Sequence, residues 1–433
     1  MYIPACKDPE SANRIKATDS APCPGEGYAT AIFLGLLFLL TIGSAPFQEG
    51  SGLSIDKSGA GQFGRQVLLL LLMTAAIPVL FMRRAAILRL IACNWSVLVL
   101  YGWAGISVFW SGFFEVAVHR LSGTILCGIL TLVGATLSAR SLIWALVVFT
   151  GGIMMINYGG VVLIPSLALD HDGLWKGLHL QKNIAGYFSA VSSLLWLFLG
   201  WRRRNCLLIL GGLVWLVFLW YTHSRTSLGM YFVALGFCYM LNIGLERQFK
   251  SSVFYFCVAV IFLVLPLWFF FFYTTIFDFS GFSILGGIDL TFTGRTEIWD
   301  FVRKSASLAP VIGVGYGSFW AVGDRSPALL LANDFVAQYT EAHNGYLDVL
   351  VTLGGIGLSI LVFVLLKPIH MLANYKSLQA TVEQNDALIL CALLLCFGIL
   401  HNFLESTVFQ GLSPVWTLML FSLLVIKSKL RER

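Results

Sequence analysis

Charged residues are scarce in this chain of 433 residues. Asp, Glu, Lys and Arg make up 12% of it, whereas soluble domains carry roughly 25%. Hydrophobic residues reach 58%, and 34 Phe and 13 Trp add a large aromatic content. So little charge, with a mean hydropathy of +0.82, excludes a string of soluble domains, a disordered chain and a disulfide scaffold. The composition indicates an integral membrane protein.

The sequence also lacks the spacings that indicate a metal or redox centre. Nine cysteines are present, but they form no CxxC pair and no Cys/His metal pattern. Seven of them lie in or beside apolar runs, which favours buried thiols. The cysteines therefore indicate neither a metal nor a redox cofactor. The chain contains no internal repeat, and we see no cleavable signal peptide.

Apolar runs near the length of a membrane span recur along the whole chain. A spanning helix needs about 20 predominantly apolar residues. The sequence predicts an all-α polytopic membrane protein of about twelve transmembrane helices, although the seventh and eighth runs are separated by a few residues only. The predicted spans are Tyr28–Ser44, Val67–Phe81, Ile87–Phe109, Val118–Ser138, Leu142–Pro165, Ile184–Gly200, Cys206–Tyr221, Ser227–Asn242, Val253–Phe277, Tyr346–Leu366, Ala387–Phe403 and Pro414–Ile426.

The basic residues favour one orientation of these spans. With both termini in the cytoplasm, 18 Lys and Arg lie on cytoplasmic segments and ten on outer segments, as the positive-inside rule requires. The net charge of +6 then reflects cytoplasmic turns and indicates no nucleic-acid partner. The ten outer cations run against the rule, so we expect any chemistry on the outer face. They are Lys57, Arg65, Arg120, Lys176, Lys182, Arg225, Arg295, Arg303, Lys304 and Arg325.

This orientation predicts one long outer loop. We divide the chain into a cytoplasmic tail over residues 1–27, nine spans over 28–277, an outer loop subdomain over 278–344, three spans over 345–427 and a tail over 428–433. Within the loop, residues 296–307 have Ile298, Phe301 and Val302 at helical spacing, which predicts an amphipathic helix.

Two arginines stand at points where an anion could bind. Arg225 lies between two apolar runs, where an ionised group is costly unless paired; the alternative is an interfacial arginine on lipid headgroups. Arg295 would begin the amphipathic helix after Gly294, with Thr293 or Thr296 as a cap. Backbone N–H groups and a guanidinium can converge on phosphate there. The alternative is a surface pair of Arg295 with Glu297.

The Gly-rich loop at residues 310–320, PVIGVGYGSFW, resembles a phosphate loop only superficially, because no Lys-Ser/Thr follows it. It predicts a tight turn before the aromatic pair Phe319-Trp320.

Histidine supplies the other candidate chemistry. His343 in EAHNGYL at 341–347 has the ordinary pKa of about 6.5 that suits proton transfer; the alternative is a capping pair with Asn344. Lys182 and Asn183 open the sixth span, where Lys182 could hold phosphate or anchor its helix. Glu405, in HNFLE at 401–405, could position a sugar hydroxyl or balance a cation.

Taken together, these motifs are recognisable. The chain resembles the O-antigen ligase and O-antigen polymerase superfamily, in particular its exopolysaccharide-polymerisation branch. The first five spans carry no motif that we can match. The residues that carry the resemblance are LQKNIAG at 180–186, SRTSLG at 224–229, TGRTEIW at 293–299, the Gly-rich loop at 310–320, AHNGYL at 342–347 and HNFLES at 401–406.

The resemblance implies a polytopic, C-type glycosyltransferase of the bacterial inner membrane, with its active site on the periplasmic side. Such enzymes take a glycan from undecaprenyl diphosphate and pass it to an acceptor hydroxyl with inversion, without metal or nucleotide. Arg225, Arg295 and His343 match the family's essential residues. Lys182, Asn183, Asn344 and Glu405 are expected to bind substrate.

The acceptor stays open. A polymerase extends another lipid-linked repeat, a ligase uses the lipid A-core of lipopolysaccharide, and some relatives glycosylate protein. A transporter or flippase is the alternative from another class. A transporter should place charges near the midplane and break paired helices at corresponding positions in two halves. Here the catalytic-looking residues crowd into residues 180–406, and the long loop has no partner in the first half. Neither the sugar nor the oligomeric state follows from the sequence.

Overall fold

The computed structural model describes residues 25–42, 63–247, 295–323, 325–373 and 381–431. The regular secondary structure in those ranges is helical, with no β-strand and only an isolated bridge between Leu169 and Trp175. This confirms the all-α prediction. The helices are α1 Glu26–Thr41, α2 Phe63–Met82, α3 Arg84–Cys93, α4 Trp95–Ser107, α5 Phe114–Ala135, α6 Ala139–Leu163, α7 Pro165–Ala168, α8 Lys182–Arg203, α9 Cys206–Tyr221, α10 Arg225–Arg247, α11 Arg295–Ala306, α12 Pro327–Leu331, α13 Gly345–Ala373, α14 Val382–His401 and α15 Pro414–Arg431.

Helices occupy every predicted span except Val253–Phe277, which lies outside the described residues. By length and composition, six described helices could cross a membrane, or seven if one bent pair counts as a span. Helices α1 and α9 are apolar but shorter. The chain is therefore a multi-pass membrane protein, while the number twelve stays a prediction. The proposed domain boundaries also stay predictions.

The third predicted span, Ile87–Phe109, is not one straight helix. It is divided between α3 and α4, with a bend of 80° between the two segments. Asn94 lies at the break, and its Nδ2 donates to the carbonyl of Leu90 at 2.8 Å. A side chain that bonds the backbone locally competes with helical hydrogen bonding. The length of an apolar run contains no sign of such a break.

A second break lies inside α13. Gly354 has φ 68° and ψ −172°, a conformation that is essentially restricted to glycine. The Gly-rich loop docks at this break: the amide of Val314 donates to the carbonyl of Val351 at 3.0 Å, and the amide of Gly355 donates to that of Pro310 at 2.8 Å. Backbone groups freed from a helix at membrane depth need such partners. The predicted tight turn is thus also a helix-docking element.

Helix α11 confirms the amphipathic prediction for residues 296–307. Ile298 and Val302 are fully buried and belong to a small cluster that also contains Phe319 and Trp320. Apolar residues four positions apart form one stripe on a helix, and here the stripe packs against the end of the Gly-rich loop and α13. Thr293, one proposed cap, and Gly294, the proposed turn, lie outside the described residues. Thr296, the other proposed cap, is the second residue of α11 and so lies inside the helix.

Candidate active site

A cavity of about 730 Å³ opens at one end of the bundle. Its lining comes from segments predicted to face outward: the ends of α1 and α14, the starts of α2 and α8, α5, and the loops near 320 and 340. The residues that line it include Glu341, Glu405, Asn183, Arg65 and Arg120. The tertiary structure therefore gathers polar residues from both halves of the chain around one space.

Glu405 joins three of the predicted site residues. Its Oε1 accepts from Nη2 of Arg295 at 2.9 Å and from Nδ2 of Asn183 at 3.1 Å, while Oε2 is 3.4 Å from Nδ1 of His343. Arg295 also donates through Nη1 to the carbonyl of Leu404. The Glu405 side chain is only 6% exposed. A buried carboxylate needs this set of donors and cations, so Glu405 balances charge as well as lining the cavity.

His343 lies between two carboxylates. Its Nδ1 is 3.2 Å from Oε1 of Glu341 and 3.4 Å from Oε2 of Glu405. The capping role belongs to its neighbour: Oδ1 of Asn344 accepts from the amides of Tyr346 and Leu347, in the first turn of α13. His343 has a φ of 48°, a left-handed conformation that is uncommon outside glycine. The imidazole is thus held by carboxylates.

The electrostatics of this cluster follow from burial and charge. Burial alone would lower the pKa of His343, but the Glu405 hydrogen bond and the charges of Glu341 and Glu405 outweigh it and raise that pKa. Burial also dominates at Glu341 and raises its pKa to about 7. For Glu405 the balance is reversed. Burial favours the neutral acid, yet the His343 hydrogen bond and the nearby cations hold its pKa below the ordinary value.

The residue before His343 is held from two sides. Oδ1 of Asp348 accepts from the amide of Ala342 at 3.2 Å and from Nε1 of Trp320 at 2.7 Å. Nε1 of Trp299, on α11, donates to the carbonyl of Ala342 at 2.9 Å. These bonds connect the position of His343 to α11, α13 and the Gly-rich loop.

The first spans, which carry no recognised motif, hold the Gly-rich loop. Arg120 on α5 donates to the carbonyls of Gly317 at 2.6 Å, Trp320 at 2.8 Å and Ala321 at 2.7 Å. Gly317 has a φ of 65°, and a Cβ there would lie 2.9 Å from Cδ of Arg120. This close approach explains one glycine of the loop and gives one outer cation a structural role.

Two predicted site residues form no hydrogen bond or ion pair with this cluster in the described ranges. Lys182 pairs with Asp170 at 3.4 Å and Asp172 at 3.9 Å. Arg225 is exposed at the start of α10, and its side chain makes no hydrogen bond or ion pair with any other residue of the described ranges. Neither is among the residues that line the cavity. Arg295, His343 and Asn344 are not among them either, but these three contact the lining residues Glu405 and Ser406. The structure therefore brings together Arg295, His343, Asn183 and Glu405, with Asn344 beside them.

Glu341, His343 and Glu405 also form the kind of group that could hold a metal ion, since one ligand atom from each lies within 4.8 Å of the others. The ion pair of Arg295 with Glu405 opposes a second cation at that carboxylate. Of the two carboxylates, Glu405 pairs with Arg295, and Glu341 contacts Nδ1 of His343.

Several residues of the site escaped the sequence analysis. Glu341 and His401 belong to the quoted motifs but received no role, and Asp348 lies just beyond one of them. Arg65 and Arg120 did give a signal, because they are cations on segments where the positive-inside rule disfavours them. Which loop or cavity each would meet depends on helix packing.

Known proteins resemble this chain over part of its length. Residues 210–362 match the family model described as O-Antigen ligase. The Exopolysaccharide production protein ExoQ of Rhizobium meliloti (strain 1021) is 35% identical over 86 residues, which are 19% of this chain and 20% of that protein. The match thus spans about a fifth of the relative's length. These matches, together with the helical membrane architecture, support the O-antigen ligase and polymerase superfamily as the family of this chain.

Proposed function

We propose that the protein is a glycosyltransferase that moves a glycan from undecaprenyl diphosphate to an acceptor hydroxyl, and that it polymerises lipid-linked repeat units of a surface polysaccharide. The observation that carries this proposal is His343, held by Glu405 and Glu341 beside a cavity of about 730 Å³. The superfamily and the printed name of the relative support the class of reaction.

His343 is the proposed base. Its Nδ1 faces the two carboxylates, which favours the tautomer with the proton on Nδ1 and leaves Nε2 to accept a proton. The acceptor oxygen loses its proton to Nε2 and attacks the anomeric carbon of the donor sugar. The bond from that carbon to the diphosphate breaks, and its electron pair leaves on the diphosphate. Glu405 stabilises the imidazolium that forms. Because the acceptor oxygen displaces the diphosphate in one step, the anomeric centre is inverted.

The departing diphosphate needs positive charge. We propose that Arg225 and Arg295 supply it without a metal ion. Arg295 uses two donors on Leu404 and Glu405, and a guanidinium has five, so three remain for phosphate. Arg→Lys at either position should abolish most turnover, because lysine offers a point charge and no fork. Retained turnover in Arg225→Lys, a position whose side chain makes no bond to the cluster in the described ranges, would remove that residue from the site.

The second candidate function is ligation of O-antigen to lipid A-core, which the description of the matching family model favours. The glycan that accumulates on its carrier in a deletion strain separates the two. Single lipid-linked repeats would indicate a lost polymerase, and lipid-linked polymer would indicate a lost ligase. If neither accumulates and secreted glycan is normal, both proposals are wrong, and protein O-glycosylation or transport becomes the better hypothesis.

A further inference from the structure

His401 closes α14 with its polar atoms unsatisfied. The residue is 2% exposed, and neither Nδ1 nor Nε2 has a hydrogen-bond partner. A neutral imidazole has one N–H donor and one acceptor nitrogen. Burying both without partners carries a desolvation penalty, and such groups are rare in folded proteins. A phenylalanine would fill this site without the penalty, so the imidazole needs an explanation.

Tyr187 on α8, which lies beside His401, also has an unsatisfied polar atom. The residue is 1% exposed, its hydroxyl has no partner, and its ring lies 5.1 Å from that of His401, centroid to centroid. Both residues line the same cavity as Glu405. Three unsatisfied polar atoms therefore belong to two neighbouring residues of the cavity wall. His401 precedes Glu405, the carboxylate that contacts His343, by four positions in the chain.

The chemistry of these atoms selects a class of ligand. A phenol and a neutral imidazole offer both donors and acceptors. A sugar hydroxyl both donates and accepts, so it matches such a set, whereas a phosphate only accepts at neutral pH. We propose that Tyr187 and His401 form a hydroxyl-binding subsite for a neutral sugar of the glycan, next to the proton-transfer group. This inference rests on the proposed transferase function for the identity of the ligand.

Tyr187→Phe tests the subsite by removing one oxygen. The assay uses the purified full-length protein and the lipid-linked oligosaccharide extracted from a strain that lacks the gene. We expect KM to rise roughly threefold to tenfold, the worth of one hydrogen bond, with kcat nearly unchanged. The apparent Tm without glycan should stay level or rise, because an unsatisfied group has been removed. His401→Phe should likewise raise KM and leave the apparent Tm level or higher.

Tyr101→Phe is the matched control, because it removes the same atom from a tyrosine whose hydroxyl is also buried and which does not line the cavity. It should leave KM unchanged. An unchanged KM in Tyr187→Phe would overturn the subsite. So would a lowered Tm, since the hydroxyl would then be satisfied inside the fold, for example by a buried water.

A direct binding titration with the same oligosaccharide separates this inference from the proposed function. If the wild-type protein binds but transfers nothing, the transferase proposal fails. The subsite then stands only if Tyr187→Phe weakens binding.

Discussion

At the scale of single residues, the structure assigns different roles to His343 and Asn344, whereas the sequence left open both proton transfer and helix capping for His343. The imidazole contacts carboxylates, and the amide caps α13. His343→Asn should therefore fold normally, since asparagine tolerates a positive φ, while turnover should fall by roughly 10²–10⁴-fold. Turnover close to that of the wild type would contradict the role as a base.

The contrasting variant is Asn344→Ala, which removes the cap and leaves the imidazole in place. It should lower stability by about 1 kcal/mol, measured by thermal unfolding in detergent.

The carboxylates around His343 predict a pH dependence. A base acts in its neutral form, so turnover should rise with pH through the pKa of His343. Glu405 and Glu341 raise that pKa above 6.5, which places the rising limb above pH 6.5. Glu405→Gln removes a negative charge and should shift the rising part of the kcat profile to lower pH, even if the maximal kcat also changes. The measurement is kcat against pH.

Glu297→Gln serves as the control for charge. Glu297 is exposed on α11 and accepts from Asn333, so its loss should leave the limb in place. If the limb stays fixed in Glu405→Gln as well, a group other than His343 controls it.

At the scale of elements, broken helices shape the site. The break at Gly354 opens α13 to the Gly-rich loop, and Nε1 of Trp103 on α4 donates to the freed carbonyl of Leu353 at 3.0 Å. A Cβ at Gly354 would collide with the carbonyl of Val311. Gly354→Ala should destabilise the protein by about 1–3 kcal/mol, the usual cost of such backbone strain, and displace the loop. The measurement is thermal unfolding.

Gly102→Ala on α4 makes the same chemical change where a Cβ meets nothing within 4 Å. It should be neutral or slightly stabilising, since alanine favours a helix over glycine. Equal losses of stability in Gly354→Ala and Gly102→Ala would show that the break at Gly354 carries no special strain.

At the scale of the whole molecule, the predicted orientation of the spans implies that the cavity opens to the outer face of the membrane. The residues that line it belong to predicted outer loops and to the outer ends of predicted spans. A cysteine at Gln338, which is exposed, should react with an impermeant thiol reagent in intact spheroplasts. Ser326, a natural choice from the sequence, is fully buried and donates to the carbonyl of Phe319, so it is unsuitable.

The native Cys206 supplies the inner control, because it is exposed and begins α9 at the predicted cytoplasmic end of the seventh span. With the other cysteines replaced, Cys206 should react only after permeabilisation. If Cys206 reacts in intact spheroplasts and the cysteine at position 338 reacts only after permeabilisation, the predicted orientation is wrong.

The sequence by itself determined the class, most helices and the identity of several cluster residues. Apolar runs and helical periodicity are local signals, so α8, α11 and α14 could be predicted from their own residues. Tertiary structure decided the rest: the meeting of Asn183, Arg295 and His343 at Glu405, the lack of a bond between Arg225 and those residues, and the breaks at Asn94 and Gly354. Each of these depends on which helix ends pack together. That choice is set by side-chain fit between segments far apart in the chain, which no local pattern contains.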